Sequence, residues 1–379
     1  MRKGYSRRTI ADICHFINGN GFKPSDWKAS GLPIIRIQNL NGAKSFNYYD
    51  GPAKADWLVE NGDLLYAWAG VKGVSFGPTI WPGPKGVLNQ HIYKVVPHAN
   101  TDRYWLYLAL KHVTGKIETQ AHGFKSSLVH VHKEDITGQA IEVPPFQDQR
   151  RIARLVRTWD EAIEAAKGVL GRLLERRGAL SHSLLSRFTR NSKVVRLKDF
   201  LTESRVAGSD GRAAKKITVR LYGKGAVEKG ESRAGSKNTR YYVRKQGQLI
   251  YSKLDFLKGA IAIIPDSLDG FETTLDLPAF DISPAVNPLW LLECLVRPSF
   301  YTNQEHLARG QRKARRVSPE DLLEVKIRLP GRGQQDEVVR RLSTADHEIA
   351  LTQELLNAIE RQKRGLMQKL LTGQWRVKM

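Results

Sequence analysis

Apolar side chains recur in a spacing of three and four along two long segments of this 379-residue sequence. One cation interrupts each segment at the same heptad position, Arg177 in the first, 152–184, and Lys363 in the second, 338–370. This spacing is typical of helices that pair as a coiled coil. The predicted contact residues are Ile152, Val156, Trp159, Ile163, Leu170, Leu173, Val338, Leu342, Ile349, Leu356 and Ile359.

The first segment predicts one unbroken helix from about Gln149 to Arg187. At 1.5 Å per residue such a helix is about 55 Å long. A hairpin folded back at Gly168, Gly171 or Gly178 is the alternative, but no proline or polar turn interrupts the pattern. We expect the two segments to pair with each other, because an apolar stripe on a single helix needs a partner.

The parts of the chain that precede the two helical segments, here called the fronts, have a different pattern. Short apolar runs bounded by glycine, asparagine and proline are typical of strands. We predict strands at 32–37 and 64–68, their counterparts at 245–251 and 260–264, and helices at 103–111 and 288–296. Each front is therefore expected to mix strands and helices.

The two halves of the chain align with each other. Residues 131–136 match residues 317–322 at a spacing of 186, and Gln149 matches Gln335 at the same spacing. Further pairs are Asp160 with Asp346, Ile163 with Ile349, and, at a spacing of 185, Gly62–Tyr66 with Gly247–Tyr251. A register held this long predicts a duplicated unit. The expected domains are a first front at 1–145, a first long helix at 146–190, a second front at 191–330 and a second long helix at 331–379.

The charge of the chain indicates the kind of partner. Lys and Arg number 61 against 38 Asp and Glu, which gives a net charge of +23. So large an excess attracts polyanions, of which nucleic acid is the usual one.

Only two cysteines are present, Cys14 and Cys294, and their separation excludes a thiolate zinc site and a disulfide framework. Since the longest apolar runs are too short to span a bilayer, we expect a cytoplasmic protein.

Basic residues concentrate in the second front. Between Arg205 and Lys253 there are thirteen Lys and Arg, and residues 309–316 add five cations. Such clusters contact phosphates, whereas base edges are read by Arg, Lys, Asn or Gln beside strand ends. The candidate DNA contacts are Arg36, Gln38, Asn39, Lys72, Lys125, Arg220, Tyr222, Lys224, Lys253, Arg312, Lys313, Arg315 and Arg316.

Three incomplete motifs bear on catalysis. Residues 143–146 resemble the Asn/Asp-Pro-Pro-Tyr/Phe motif of amino-methyltransferases, but the first residue is a valine, which accepts no hydrogen bond. Residues 225–232 resemble a phosphate loop, but Glu231 replaces the essential lysine. His130 and His132 have no further metal ligands nearby in sequence. We therefore expect no catalysis, cofactor or metal. The alternatives are a DNA-modifying enzyme with its own active site and a coiled-coil adaptor without a DNA role.

Three segments resemble the specificity subunits of Type I restriction–modification systems. They are 143–153 with the helix that follows, 329–338, and Gln368–Gly373, which supply a proline, a glutamine-rich helix start and a closing Leu-Leu-x-Gly. The sequence departs from the family pattern at Asp148, where glutamate is usual, at Arg187 in place of a glycine, and in the inserted residues 331–333. The resemblance covers essentially the whole chain.

The resemblance implies an α+β fold. Two mixed α/β target recognition domains would be separated by two long antiparallel coiled-coil helices in a pseudo-two-fold internal repeat. Each domain would read one half of an asymmetric, bipartite double-stranded DNA site. The helices would dock modification subunits, two being expected, which carry the methyltransferase chemistry and S-adenosylmethionine. A further restriction subunit would perform translocation and cleavage.

Overall fold

The structure, a computed structural model, describes residues 4–71, 73–120, 128–210, 212–230, 236, 238–311 and 315–377. The chain divides into two compact units. Unit 1 comprises residues Met1–Lys167 and Glu354–Met379, and unit 2 comprises Gly168–Gln353. Within the described ranges, no helix is both long and apolar enough to cross a membrane.

Two helices are far longer than the others. The helices are α1 (Ile37–Leu40), α2 (Arg103–Gln120), α3 (Lys133–Thr137), α4 (Phe146–Thr189), α5 (Pro288–Leu295), α6 (Pro298–Thr302), α7 (Pro319–Leu323) and α8 (Arg332–Leu371). The 44 residues of α4 continue through Gly168, Gly171 and Gly178, so the long helix is confirmed and the hairpin alternative is wrong. The α8 helix has 40 residues and starts within the insertion at 331–333.

Strands β1 to β12 lie in the described part of unit 1. They are β1 (Ser6–Thr9), β2 (Cys14–Asn18), β3 (Leu32–Ile35), β4 (Tyr48–Tyr49), β5 (Leu58–Val59), β6 (Leu64–Ala67), β7 (Ala69–Val71), β8 (Gly77–Ile80), β9 (Gly86–Leu88), β10 (Ile92–Pro97), β11 (Leu128–His130) and β12 (Ala140–Val143). The main sheet has the order β2-β10-β6-β8, a second has the order β4-β3-β9-β5, and the pairs β1-β12 and β11-β7 stand beside them.

Strands β13 to β23 lie in unit 2, among the residues that the structure describes. They are β13 (Lys193–Arg196), β14 (Leu201–Ser204), β15 (Ala207–Asp210), β16 (Ile217–Val219), β17 (Ala226–Glu228), β18 (Arg240–Val243), β19 (Leu249–Tyr251), β20 (Ile261–Ile263), β21 (Glu272–Thr273), β22 (Ala279–Ile282) and β23 (Lys326–Leu329). The main sheet has the order β14-β22-β19-β20, with β15-β18-β21 and the pairs β13-β23 and β16-β17 beside it.

The main sheets of the two units share one topology. Strand order in each sheet makes β6 the counterpart of β19, as the alignment of 62–66 with 247–251 predicts. One expected counterpart is wrong: 260–264 forms β20, which pairs with β19 as β8 pairs with β6. The run at 32–37 instead forms β3, which pairs in parallel with β9 in a separate sheet of unit 1.

The duplication extends to the cores. Trp105 of α2 and Trp290 of α5, 185 residues apart, are each at most 1% exposed and lie in the largest hydrophobic core of their unit. Each helix begins with a side-chain cap. Asp102 accepts hydrogen bonds from the backbone N–H groups of Tyr104 and Trp105, and Asn287 does so at α5. These caps satisfy donors that the first helical turn leaves without partners.

Each unit packs a part of α4 against a part of α8. In unit 1, Ile152 and Val156 share a core with Leu370. In unit 2, Leu184 shares a core with Val338 and Leu342. Because later residues of one helix lie beside earlier residues of the other, the segments are antiparallel. Of the predicted contact residues, Trp159, Leu170, Ile349 and Ile359 are half-buried, and Ile152, Val156, Ile163, Leu173, Val338, Leu342 and Leu356 are buried.

Candidate nucleic-acid interface

A buried glutamine fixes each front to the start of its long helix. The Oε1 atom of Gln149 accepts a hydrogen bond from the backbone N–H of Asp102, the residue that caps α2, at 2.8 Å. Its Nε2 atom donates to the carbonyl of Pro144, just before α4. Gln335 makes the same two contacts in unit 2, with the backbone N–H of Asn287 at 2.7 Å and the carbonyl of Pro330. Gln149 is 2% exposed and Gln335 1%.

The cations that interrupt the heptads have acidic partners across the helix pair. In unit 1, Lys363 of α8 forms an ion pair with Asp160 of α4. In unit 2, Arg177 of α4 donates two hydrogen bonds to Asp346 of α8, at 2.9 and 3.1 Å. Both partners and both cations are matched at a spacing of 186, so the two copies contain the same charge pair. Burial of a charge at a helix interface requires such a partner.

A side chain from the front completes each cluster. In unit 1 the hydroxyl of Tyr104, on α2, donates to Asp160. Burial, and secondarily this hydrogen bond to a carboxylate, raises the pKa of Tyr104, which keeps the phenol protonated as a donor. In unit 2, Glu293 of α5 accepts two hydrogen bonds from Arg177, at 2.6 and 2.9 Å. We call Tyr104, Asp160 and Lys363 the unit 1 junction, and Glu293, Arg177 and Asp346 the unit 2 junction.

Three candidate DNA-contacting residues, one directly after β3 and two in α1, have different surroundings. Arg36 is half-buried, and its guanidinium lies 4.2 Å from the ring centroid of Trp27. Gln38 is exposed. Asn39 is 5% exposed and uses its amide within the chain, accepting from the backbone N–H of Arg36 and donating to the carbonyls of Ala43 and Ser45. The position of Asn39 corrects the expectation of a DNA contact: this side chain holds the loop instead.

In unit 2, three candidates stand together on one hairpin. Arg220, Tyr222 and Lys224 are all exposed in the turn between β16 and β17. Tyr222 has a φ of 59°, in the left-handed region that favours glycine, and is 62% exposed. Its backbone N–H donates to the carbonyl of Lys258 at 2.8 Å, so the turn is attached to the body of the unit. Such an outlier costs about 1–3 kcal/mol and requires support from the surrounding structure.

The remaining described candidates of unit 2 lie around the segment before α7. Lys253 is half-buried, and its carbonyl accepts from the backbone N–H of Val317. Arg315 forms an ion pair with Glu305 at 2.8 Å, and Arg316 forms one with Asp276 at 3.4 Å. These carboxylates compete with any phosphate for the two arginines. The candidates Lys72, Lys125, Arg312 and Lys313 lie outside the described residues.

Sequence reasoning missed a buried cation in unit 2. The side chain of Arg244 has 0% exposure, and it donates to the hydroxyl of Thr273 and the carbonyls of Ser204 and Leu277. Desolvation lowers its pKa to about 10, which still leaves it charged at neutral pH. Its partners come from segments that are distant in sequence, so no local pattern identified it.

The incomplete catalytic motifs have structural surroundings where they are described. Val143 ends β12, opposite Ser6, and Pro144 and Pro145 lead into α4. In the second motif, Gly225 is in the turn after Lys224, whereas Glu231 lies outside the described residues. Of the two histidines, the described side chain of His132 is exposed. No group of three or more potential metal ligands occurs in the described part of the chain.

Known sequences connect this architecture to one family. Residues 2–173 match the family described as the Type I restriction modification DNA specificity domain. The EcoBI specificity subunit of Escherichia coli is 24% identical over 211 residues, which cover 54% of this chain but only 42% of that protein. The MjaVIII specificity subunit of Methanocaldococcus jannaschii is 24% identical over 415 aligned residues, which cover 97% of this chain and 92% of that protein.

Two solved structures have a similar fold. The Type I S subunit from M. genitalium has a TM-score of 0.53 at 14% identity, over 97% of this chain and 96% of that one. A chain from a structure concerned with complex assembly and conformational transition of the Type I R-M system has a TM-score of 0.64 at 14% identity, over 99% of both chains. Together with the duplicated units and long paired helices, these matches show that the chain is similar to specificity subunits of Type I restriction–modification systems over essentially its whole length, with residues 2–173 matching their DNA specificity domain.

Proposed function

We propose that this chain reads a two-part DNA site and itself catalyses no reaction. The observation that carries the proposal is the duplication: two units share one sheet topology, one buried glutamine contact and one charge pair, yet differ in their surface loops. Similar scaffolds with different loops suit two half-sites of different sequence. The recognition domains would be 1–145 and 191–330, and the spacer helices 146–190 and 331–379.

The charge of the chain supports a DNA partner. With a net charge of +23, it attracts a polyanion over a long distance. The exposed hairpin of Arg220, Tyr222 and Lys224 supplies two cations and an aromatic ring at the surface. In the described part of the chain neither of these cations has a carboxylate within ion-pair distance, unlike Arg315 and Arg316. We therefore place phosphate contacts on Arg220 and Lys224 first.

The partners follow from the same proposal. The chain would bring two modification subunits, which hold S-adenosylmethionine and transfer the methyl group, to the site it reads. A restriction subunit would join that complex in the cytoplasm. The paired parts of α4 and α8 expose apolar side chains, Val169 at 42% and Leu174 at 53% in unit 2, and Leu355 at 57% in unit 1. We place the docking surface for the modification subunits on these exposed parts of the two helices.

Methylation sequencing tests the proposed function. DNA from cells that express the chain with its modification subunit should have methylated bases in a split motif, two specified parts separated by an unspecified gap. Cells with the modification subunit alone should lack this motif. A continuous motif, or methylation that is unchanged without the chain, would contradict the proposal. Methyl transfer by the purified chain alone would favour the alternative of an enzyme with its own active site.

A further inference from the structure

Arg36 is held in one orientation by two neighbours at the surface of unit 1. Its guanidinium lies over the ring of Trp27, 4.2 Å from the centroid, and its Nη2 atom donates to Oδ1 of Asn47 at 2.7 Å. Trp27 is itself 37% exposed, so the stacked pair is at the surface. The contact with the Trp27 ring and the hydrogen bond to Asn47 together restrict the position and rotation of the guanidinium.

The sheet register brings these three residues together. Lys28 and Tyr48 form an isolated antiparallel bridge, and Tyr48 pairs with Pro33 of β3. Trp27 and Asn47 each directly precede a residue of that bridge, and Arg36 directly follows β3. The three side chains therefore start from neighbouring backbone segments, which the pairing of Tyr48 with both Lys28 and Pro33 holds together.

The backbone of Arg36 is fixed as well. Buried Asn39 accepts a hydrogen bond from the N–H of Arg36 at 3.0 Å. The amide of Asn39 also donates to the carbonyls of Ala43 and Ser45, at 3.0 and 2.9 Å, which closes the loop after α1. A surface arginine held at its backbone, its plane and one nitrogen has lost conformational freedom before any ligand binds, so binding costs less entropy.

The guanidinium keeps donors for a ligand. Among the described residues, no carboxylate lies within ion-pair distance of Arg36, and its Nε and Nη1 atoms have no hydrogen-bond acceptor. The Nη2 atom has a second N–H besides the one that it donates to Asn47, so a pair of donors on one edge remains. A phosphate accepts hydrogen bonds over a wide range of directions, so a flexible lysine suffices for it. A guanine edge presents O6 and N7 in one plane and is bound by a planar pair of N–H donors. Exposed Gln38, in α1, and exposed Asn41, directly after α1, follow Arg36 in sequence and are further candidates for contacts with neighbouring base pairs.

We propose that Arg36, oriented by Trp27 and Asn47, binds the O6 and N7 atoms of one guanine in the half-site read by unit 1. This inference rests on the proposed function, since it requires that the chain bind DNA. It assigns Arg36 as a specificity-determining residue, with Trp27, Asn47 and Asn39 as positioning residues.

The test uses the full chain in complex with its modification subunits and duplexes with the methylated motif. Each guanine of the first half-site is replaced in turn by 7-deazaguanine, which lacks the N7 acceptor. At one guanine the wild-type complex should lose about tenfold in affinity, as expected for half or more of a bidentate base contact. At that position the Arg36→Ala complex should lose nothing further. The Lys28→Ala complex, which lacks a neighbouring exposed cation, should lose affinity there as the wild-type complex does.

Two further variants separate orientation from charge. Trp27→Ala should reduce the 7-deazaguanine effect, and Trp27→Phe should restore most of it. Arg36→Lys should keep the salt dependence of binding but lose the discrimination, and it serves if Arg36→Ala fails to fold. The inference would be overturned by 7-deazaguanine effects that are equal in wild-type and Arg36→Ala complexes at every guanine. It would equally be overturned if Arg36→Ala left base discrimination unchanged and lowered by about one the slope of the logarithm of the binding constant against the logarithm of the salt concentration. That result would indicate a phosphate contact. If the wild-type complex did not prefer the motif over a scrambled duplex, the proposed function would fail as well.

Discussion

In both units the junction connects the charge pair between α4 and α8 to a side chain of the front, but the two junctions use different chemical groups. In unit 1, Asp160 is the centre, and it binds Lys363 of α8 and the phenol of Tyr104. In unit 2 the cation is the centre, and Arg177 binds Asp346 of α8 and both carboxylate oxygens of Glu293. The recognition front thus contributes a neutral donor in one unit and a carboxylate in the other.

The difference separates two parts of the duplicated unit. The aspartate–cation pair between α4 and α8 is present in both copies at the same spacing, so it belongs to the helix scaffold. Tyr104 and Glu293 lie on α2 and α5, in the fronts, and differ in charge and in number of hydrogen bonds. Because the charge pair is common and the contact from the front is different in each unit, a front can change without loss of the helix pair. It also means that removing equivalent residues will not cost the same free energy in the two units.

The largest effect is expected where the two units are the same. Gln149→Met and Gln335→Met each keep the side-chain volume but leave one backbone N–H and at least one carbonyl group buried without a partner. Each unpaired group costs about 1–3 kcal/mol, so each variant should lose about 3 kcal/mol in free energy of unfolding. Urea denaturation measures both. If one substitution lowered the free energy of unfolding much less than the other, the contacts of Gln149 and Gln335 would not be equivalent.

Arg177→Met should cost less, about 2 kcal/mol. The substitution leaves Glu293, whose side chain is 14% exposed, without its cation, but Arg177 itself is 26% exposed and solvent screens part of the interaction. The neighbouring Arg176, 62% exposed and paired with Glu348, provides a matched control. Arg176→Met should change the free energy of unfolding by less than about 0.5 kcal/mol, as surface pairs do. Equal losses for the two variants in urea denaturation would contradict the assigned role of the unit 2 junction.

Tyr104→Phe should have the smallest effect, about 1 kcal/mol. It removes one hydrogen bond from Asp160, which retains its ion pair with Lys363. Glu293→Gln in unit 2 should cost more than this, because Arg177 then loses a charged acceptor that it contacts with two nitrogens. Thermal unfolding of the two variants under the same conditions compares them. A larger loss of stability for Tyr104→Phe than for Glu293→Gln would contradict the expected order.

The long helices and the duplication could be predicted because their information is local or repeated. The heptad stripe from Ile152 onward indicates a helix by periodicity alone, and the structure extends it to Thr189. Gln149 and Gln335 align in sequence and make the same contacts in space. The apolar runs at 64–68 and 245–251 contain β6 and β19, equivalent strands in the two main sheets.

What could not be predicted depends on contacts between distant residues. The parallel pairing of β3 with β9 joins segments about fifty residues apart, and neither strand contains a pattern that specifies the other. Asn39 has the residue type of a base reader, yet its amide is used to close its own loop. Residue type and strand-end position predict Arg36 as a DNA contact, whereas its contacts with Trp27 and Asn47 form only in the folded sheet.

The exchange of one recognition front tests the central claim of two separate readers most directly. The chain with residues 1–143 replaced by the equivalent front of another specificity subunit keeps Pro144, Gln149 and all of α4. It is expressed with the modification subunit, and the methylated motif is sequenced beside that of the parent chain. We predict that one half of the motif changes while the other half stays the same. A motif that changes in both halves, or in neither, would contradict the claim that each unit reads its own half-site.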